Sequence, residues 1–327
     1  MAVAAAFACS FAFTSNAVAT ELRLASAAPA KSVWATQLKR YADKVAELSD
    51  GKLTIDIFPG GELGNMIDTW KMMLGGRLDI WNGVTLLAAT VTPELGTLTL
   101  PYIVNDYDEF KCMIPKLETE MATAAGDKYQ ILAAQPVGAQ SLGLVKEAHK
   151  PSDLAGRKLR SAPTPAVVEF WKSIGATPQA LPESEIAPAL STGLVEGSDQ
   201  SSIYYVATGA NKSAPYLLQT RHVFNLGILA VSAKTWASLT DSEKQIMKDA
   251  TSSWNFPEMV DEVMAFEKML LDSHVKGGGH IIELTEDEAK EWRAAGQATW
   301  DYGVGQLGGQ SKAFMTSIEE ARASCAK

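Results

Sequence analysis

The chain has 327 residues, 46% of them hydrophobic and 20% charged, so it can bury a sizeable core, and its length favours about two lobes over one. Its formal charge of −9 is spread along the chain, which excludes a basic footprint for nucleic acid and a polybasic membrane anchor. Beyond the N-terminal segment no run approaches the roughly 18 uninterrupted apolar residues of a membrane span, so no membrane insertion of its own is expected.

The first predicted element is a targeting segment. Ala2 to Ala12 is largely apolar, Thr14 to Asn16 is polar, and Ala17-Val18-Ala19 supplies the small-x-small pattern of a signal-peptidase site. Residues 1–19 therefore read as a cleavable signal peptide and the mature protein as periplasmic, the competing reading being a buried helix of the mature fold. A positively charged n-region is missing, and we expect the true start upstream of Met1. Phe7-Ala8-Cys9-Ser10 lacks the leucine of a lipoprotein site, so lipidation is not expected. Cleavage leaves Cys112 and Cys325, too few for a disulfide scaffold and without metal-ligand spacing. An oxidising compartment permits them to pair, and nothing in the sequence shows that they do.

Strands and helices then alternate. Glu21 to Ser26 is a strand, and Trp34, Leu38, Tyr41, Val45 and Leu48 form one face of a helix that Asp50-Gly51 stops. Leu53 to Phe58 is a strand, Met66 to Leu74 a helix closed by Gly75-Gly76, and Leu78 to Trp81 a strand. After Pro151 a similar order returns: strand Lys158 to Ser161, helix Ala166 to Ile174, strand Pro178 to Leu181, helix Glu183 to Leu190, and a strand starting at Leu194 to Glu196. Leu226 to Ser232 is an apolar strand placed to cross back into the first lobe. Helices follow around Asp241 to Ala250 and Pro257 to Ser273, then a strand at His280 to Glu283 and helices at Asp287 to Tyr302 and Ser311 to Ala323. The expected fold is α/β with two lobes, each a mixed sheet flanked by helices. Lobe I takes 20–137 and 226–265; lobe II takes 138–225 and 266–327 with the C-terminal helices.

In open α/β sheets ligands sit at the carboxyl ends of strands, beside helix N-termini. Two such rims facing each other make a cleft. Arg160 ends the strand at Lys158 to Ser161, and the helix that begins just beyond it adds a positive dipole end, so the corner suits a carboxylate. Position alone leaves a second reading equally open, in which Arg160 is a surface arginine or the partner of an internal acid such as Glu169 or Glu185.

Enzyme signals fail on context. Gly303, Gly305 and Gly308 spell a dinucleotide fingerprint, but a helical pattern precedes them where a strand is required. Ala139 to Gly143 resembles a nucleophile elbow, yet the residues after Ser141 read as strand rather than helix. His149, His222, His274 and His280 lie far apart without a metal-binding repeat. No cofactor, metal or catalytic residue is expected.

Several stretches together resemble the periplasmic solute receptors of tripartite ATP-independent periplasmic (TRAP) transporters, the DctP-like family. They are "GKLTIDIFPGGELGN", "GGRLDIWNG", "PELGTLTLPYIV" with its Leu100-Pro101-Tyr102 element, "PSDLAGRKLRSAPTP", and "IGATPQALPESEIAPALSTGLVEGSDQ". Their order and spacing carry the resemblance, which spans nearly the whole mature chain. It implies a receptor that closes two lobes by hinge motion around a small organic carboxylate and hands it to a small and a large membrane permease subunit, acting as a monomer. The family's ligand arginine falls on Arg160, whose planar fork suits a carboxylate better than lysine would. The alternative is a periplasmic sensor or enzyme on the same scaffold.

The departures from the family pattern imply a less polar pocket than in sugar-acid receptors. Gln200 replaces a frequent asparagine, Met66 and Val84 stand near where receptors for polar sugar acids place acidic residues, a second arginine is missing near Ala139-Gln140, and Ala187 replaces an aromatic. The implied solute is a carboxylate with a largely apolar body, contacted by Val84, Met66, Trp70, Tyr102 and Trp171. Met66 and Trp70 also recur at helical spacing with Met73, which suits core packing. Thr85, Asn65 and Gln140 are expected to add polar contacts. His222 follows a predicted strand and could line the cleft, a surface or core place being the other reading.

Overall fold

The computed structural model describes residues 19–325, so the signal peptide expected at 1–19 lies outside the described residues except for Ala19. The first half of the chain runs β1 (Thr20–Ser26), α1 (Val33–Leu48), β2 (Leu53–Phe58), α2 (Met66–Leu74), β3 (Ile80–Val84), α3 (Thr85–Ala88), α4 (Tyr107–Ala125) and β4 (Tyr129–Leu144). Next come β5 (Lys158–Ser161), α5 (Pro165–Ser173), β6 (Thr177–Ala180), α6 (Ile186–Ser191), β7 (Gly197–Ser201) and α7 (Ser202–Ala207). The chain closes with β8 (Tyr216–Ser232), α8 (Ala233–Ser238), α9 (Asp241–Asp249), α10 (Phe256–Lys276), β9 (His280–Ile282), α11 (Glu286–Gln297), α12 (Trp300–Leu307) and α13 (Ser311–Cys325).

Two long strands organise these elements. β4 and β8, 16 and 17 residues long, pair antiparallel along most of their length and join both lobes in the order β2-β1-β3-β8-β4-β7-β5-β6, with β9 on β8. In the first lobe β1 lies parallel between β2 and β3, and β3 pairs with the Gly227–Val231 part of β8. In the second lobe β5 lies parallel between β6 and β7, while β7 pairs with the Gln140–Leu144 part of β4. Register shifts between Ile131 and Ala133, Pro136 and Gly138, and Gln140 and Leu142 mark the crossing between lobes, where a bulge bends and twists a strand. Gly138 sits there at φ +109, a conformation that L side chains rarely adopt.

Each lobe has its own apolar packing. Leu24, Leu38, Leu53 and Val231 are fully buried between β1, α1, β2 and β8, and burial of each such side chain contributes about 1.5–3 kcal/mol. Phe170, Trp171, Leu142, Leu159 and Trp292 fill the second lobe. Between the lobes Ala28 and Trp34 pack with Ile203 and Val263.

The end of the chain differs from the division expected from sequence, which left 266–327 with the second lobe. Phe314, Ile318 and Ala321 of α13 share a core with Phe110, Met113 and Leu117 of α4 in the first lobe, and Cys325 is disulfide-bonded to Cys112 of α4. Other differences are local. β3 begins and ends later than Leu78 to Trp81 because its pairing with β8 runs from Ile80 to Val84. β7 starts at Gly197, beyond Leu194 to Glu196, and the predicted helix Asp287 to Tyr302 is divided at Ala298 and Thr299. Gly303 and Gly305 lie within α12 and Gly308 caps it, while Ser141 lies inside β4, so neither look-alike motif has the context that its chemistry needs. No helix among the described residues is long and apolar enough to cross a membrane.

Candidate functional site

The carboxyl ends of β1 and β3 face the turn after β6 and the start of α7 across a narrow cleft with a cavity volume of about 40 Å³. From the first lobe, Ser26, Trp34, Met66, Asn82 and Val84 line it. The crossing strands add Gln135, Val137 and Asn225, and the second lobe adds Glu183, Ser201 and Tyr204. Trp34 and Tyr204 stack across the gap with ring centroids 5.3 Å apart at 22°, and the Tyr204 hydroxyl donates to the Ala27 carbonyl at 3.3 Å.

The amides on the floor of the cleft are held by a chain of hydrogen bonds. Ser26 Oγ donates to Asn82 Oδ1 (2.9 Å), Asn82 Nδ2 to Gln135 Oε1 (2.7 Å), and Gln135 Nε2 to Gln37 Oε1 (3.0 Å). Gln37 Nε2 then donates to Glu262 Oε2 (2.9 Å), whose other oxygen accepts from Arg40 Nη1 (2.6 Å). Each amide in this chain has its orientation set by its neighbours, which preorganises the floor.

Arg160 stands at the end of β5 with 5% of its surface exposed. Its Nε donates to the Leu181 carbonyl at 2.9 Å and its Nη1 to the Asp199 carbonyl at 2.7 Å. Those carbonyls belong to the two segments that carry Glu183 and Ser201 to the cleft wall, so the guanidinium is clamped between them. Nη2 has no protein acceptor among the described residues, which leaves one edge of the fork for a ligand. Nearby, α5 starts at Pro165 with no side-chain cap, and the Thr164 hydroxyl is buried without a partner. The acids that act on Arg160 are Asp199 and Glu183, rather than the Glu169 or Glu185 considered from sequence. Burial pushes the guanidinium below its ordinary pKa, an effect these two acids oppose.

Behind Arg160 lies a buried polar cluster. Asp199 Oδ2 accepts from Trp171 Nε1 at 3.1 Å, Asp199 Oδ1 lies 3.4 Å from His222 Nε2, and His222 Nδ1 is 2.7 Å from the Thr220 hydroxyl. The Asp199–His222 contact is close but poorly aligned for a hydrogen bond. Burial alone would raise the Asp199 carboxyl, yet His222, Arg160 and the Trp171 N–H outweigh it and hold the group below the usual carboxylate range.

Of the side chains expected to touch ligand, Met66 and Val84 line the cleft, while Arg160 is not among the lining residues and stands behind the segments that carry Glu183 and Ser201. Others belong elsewhere. Asn65 caps α2, accepting from Asp68 N at 2.9 Å and donating to Asp68 Oδ2 at 2.7 Å, so its amide is engaged. Trp70 packs against Trp81 and Tyr129 in the first-lobe core. Tyr102 and Trp171 are core residues of the second lobe, the former with its hydroxyl on the Thr220 carbonyl. His222 is buried beside Asp199, Gln140 is a half-buried member of β4, and Thr85 and Gln200 are buried with side-chain polar atoms that find no partner among the described residues. Sequence reasoning missed Glu183, Trp34, Tyr204, Asn82, Gln135 and Asn225. Trp34 was legible only as part of a helix face, and the amides stand on strands whose burial a pattern of types does not reveal.

No group of described residues is arranged to hold a metal ion, and the cleft presents oriented amides and a mixed wall, with the buried Arg160 behind it. Such a constellation is suited to a small polar molecule. The C4-dicarboxylate-binding protein DctB of Bacillus subtilis is 27% identical over 265 residues, covering 77% of this chain and 73% of its own. A TRAP periplasmic solute binding protein from Desulfovibrio salexigens, solved with bound orotic acid, superposes with a TM-score of 0.88 at 19% identity, covering 94% of this chain and 99% of that one. Another, from Chromohalobacter salexigens with bound d-glucuronate, gives 0.85 at 22% identity, covering 92% and 99%. Two lobes joined by crossing strands around a cleft with a buried arginine thus agree with a match over residues 24–305, and the chain belongs to the DctP family, described as bacterial extracellular solute-binding protein, family 7.

Proposed function

We propose that this protein is the extracytoplasmic receptor of a TRAP transporter, that it binds a small organic carboxylate through Arg160, and that it performs no chemistry on it. The observation that carries this reading is the guanidinium itself: nearly buried, fixed by the backbone carbonyls of the two segments that bring Glu183 and Ser201 to the cleft, and with Nη2 uncommitted among the described residues. Orotic acid, d-glucuronate and a C4-dicarboxylate, named for the relatives, share only a carboxyl group, which supports a common anion grip with variable surroundings. Met66, Val84 and Val137 would meet the apolar part of the solute, and Asn82, Gln135 and Asn225 its polar substituents. The wall is more mixed than the largely apolar one expected from sequence.

In this reading the receptor works in the periplasm after removal of residues 1–19, and the closed form is recognised by a small and a large permease subunit. Isothermal calorimetry tests it. Arg160→Ala should cost about 2–5 kcal/mol of carboxylate affinity, because one partner of an enclosed charge pair is removed. Arg160→Lys should also bind weakly, since an ammonium cannot hold both carbonyls and the ligand in one plane. Wild-type affinity in both variants would refute the assignment.

A further inference from the structure

Glu183 is the acid on the cleft wall, and an anion receptor has no evident use for it. It opens the 3₁₀ turn Glu183–Glu185, two residues past the Leu181 carbonyl that Arg160 grips at 2.9 Å. The residue is exposed to the cleft space, with protein on both sides of that space reducing the water around it. That enclosure, with Asp199 adding to it and Arg160 opposing it, raises the carboxyl above its ordinary pKa. Its carboxylate is engaged in no ion pair or side-chain hydrogen bond among the described residues.

Its surroundings suit a cation. Trp34 and Tyr204, stacked at 5.3 Å, line the same cleft, and Glu183 is close enough to act on the Tyr204 phenol. Aromatic surface beside a carboxylate attracts an ammonium or amidinium by both ring quadrupole and charge. The other polar side chains of the wall, Ser26, Asn82, Gln135, Ser201 and Asn225, are neutral. A solute that carried only negative charge would have to bring its carboxylate to Arg160 past Glu183, which would repel it.

Resting on the carboxylate-receptor reading, we infer that the solute is a zwitterion, with its carboxylate on the free edge of Arg160 and its cationic nitrogen between Glu183 and the aromatic pair Trp34 and Tyr204. Glu183 is then the residue that selects among acids of similar shape.

The test uses the full mature protein and acids matched with their cationic counterparts: phenylpropionate with phenylalanine, cyclohexanecarboxylate with pipecolate, butyrate with butyrobetaine. Melting-temperature shifts rank them and calorimetry measures the best pair. In the wild type the cationic member should bind tighter by about tenfold or more, and in Glu183→Gln that ratio should fall to about one. Glu183→Asp should recover part of it. The proposal is overturned if the plain acids bind the wild type as well as their cationic partners, if no cationic member shifts the melting temperature, or if Glu183→Gln leaves the ratio as it was. Tighter binding of plain acids to Glu183→Gln with no cationic preference in the wild type would also overturn it, making Glu183 a competitor for Arg160. Arg160→Ala separates the two layers: acids that keep their affinity in that variant defeat the carboxylate grip, whatever Glu183 does.

Discussion

At Arg160 two backbone carbonyls fix a cation, and at Asp199 a cation, an imidazole and an indole N–H fix an anion just behind it. The two groups have opposite consequences for pH. Because the Asp199 carboxyl is held below its ordinary range, its contribution to stability is fully present above the unfolded-state value near ~3.9 and is lost as pH falls through the lower folded value. Glu183, raised instead, carries a cost when ionised that acid relieves. Asp199→Asn should therefore lower stability at neutral pH by about 3 kcal/mol, by leaving Arg160 and His222 without their anion, and should flatten the acid limb of a urea-unfolding series below about pH 4. An unaltered acid limb would show that Asp199 is not held ionised by its neighbours. A strand end, two prolines and a helix start singled out the position of Arg160, but those local signals left its role open between two readings, and only the family resemblance favoured the ligand role. Glu183 was not legible, because its meaning comes from Trp34, far away in sequence, and from a guanidinium that grips the backbone next to it rather than its side chain.

For the elements, legibility followed periodicity. α1, β2, α2 and β5 carry clean repeats of 3.6 or 2 residues and lie where the pattern puts them. β4 has Gln135, Pro136, Gly138 and Gln140 in its middle, and the first half of β8 has Gln219, Thr220, Arg221 and His222, so neither alternates like a strand although both are largely buried. These are the crossing segments, whose two sides face a cleft and a polar cluster instead of a single core. α4 hides behind Pro115 in its interior. Gly138 tests the crossing. An added Cβ would meet Val263 at 3.4 Å from a backbone at φ +109, so Gly138→Ala should destabilise by about 1 kcal/mol or more, read by urea unfolding, while stability equal to wild type would mean that the strand relaxes there. The Cys112–Cys325 bond acts on a larger loop, its ends being 213 positions apart in sequence. Serine at both positions should cost about 2–5 kcal/mol and abolish the sensitivity of the melting temperature to reductant. Equal melting of the oxidised protein and the serine variant would show that α13 holds to α4 by Phe314, Ile318 and Ala321 alone.

At the scale of the whole molecule the question is how a cleft wall divided between two lobes comes to enclose a solute. The lobes share two continuous strands, and on one side of the cleft they are already joined by the Trp34–Tyr204 stack, the Tyr204 bond to Ala27, and the packing of Ala28 and Trp34 on Ile203 and Val263. That side is suited to be the pivot, since the bulged crossing of β4 runs beside it. Closure on that pivot would bring Met66 and Val84 of the first lobe toward Glu183 of the second, and charge interactions would strengthen as water left. A ligand shifts such an equilibrium only by its preference for the closed arrangement, and in the proposed mode Arg160, which would contact the solute from one lobe, supplies that preference only if the rest of the solute reaches the other. Small-angle scattering should show a smaller radius of gyration at saturating ligand in the wild type. Met66→Ala with Val84→Ala should retain binding to the Arg160 wall but lose part of that contraction, because the solute no longer spans the gap. If the wild type binds by calorimetry and its radius does not change, the lobes do not move on this pivot and the cleft admits solute in the form described.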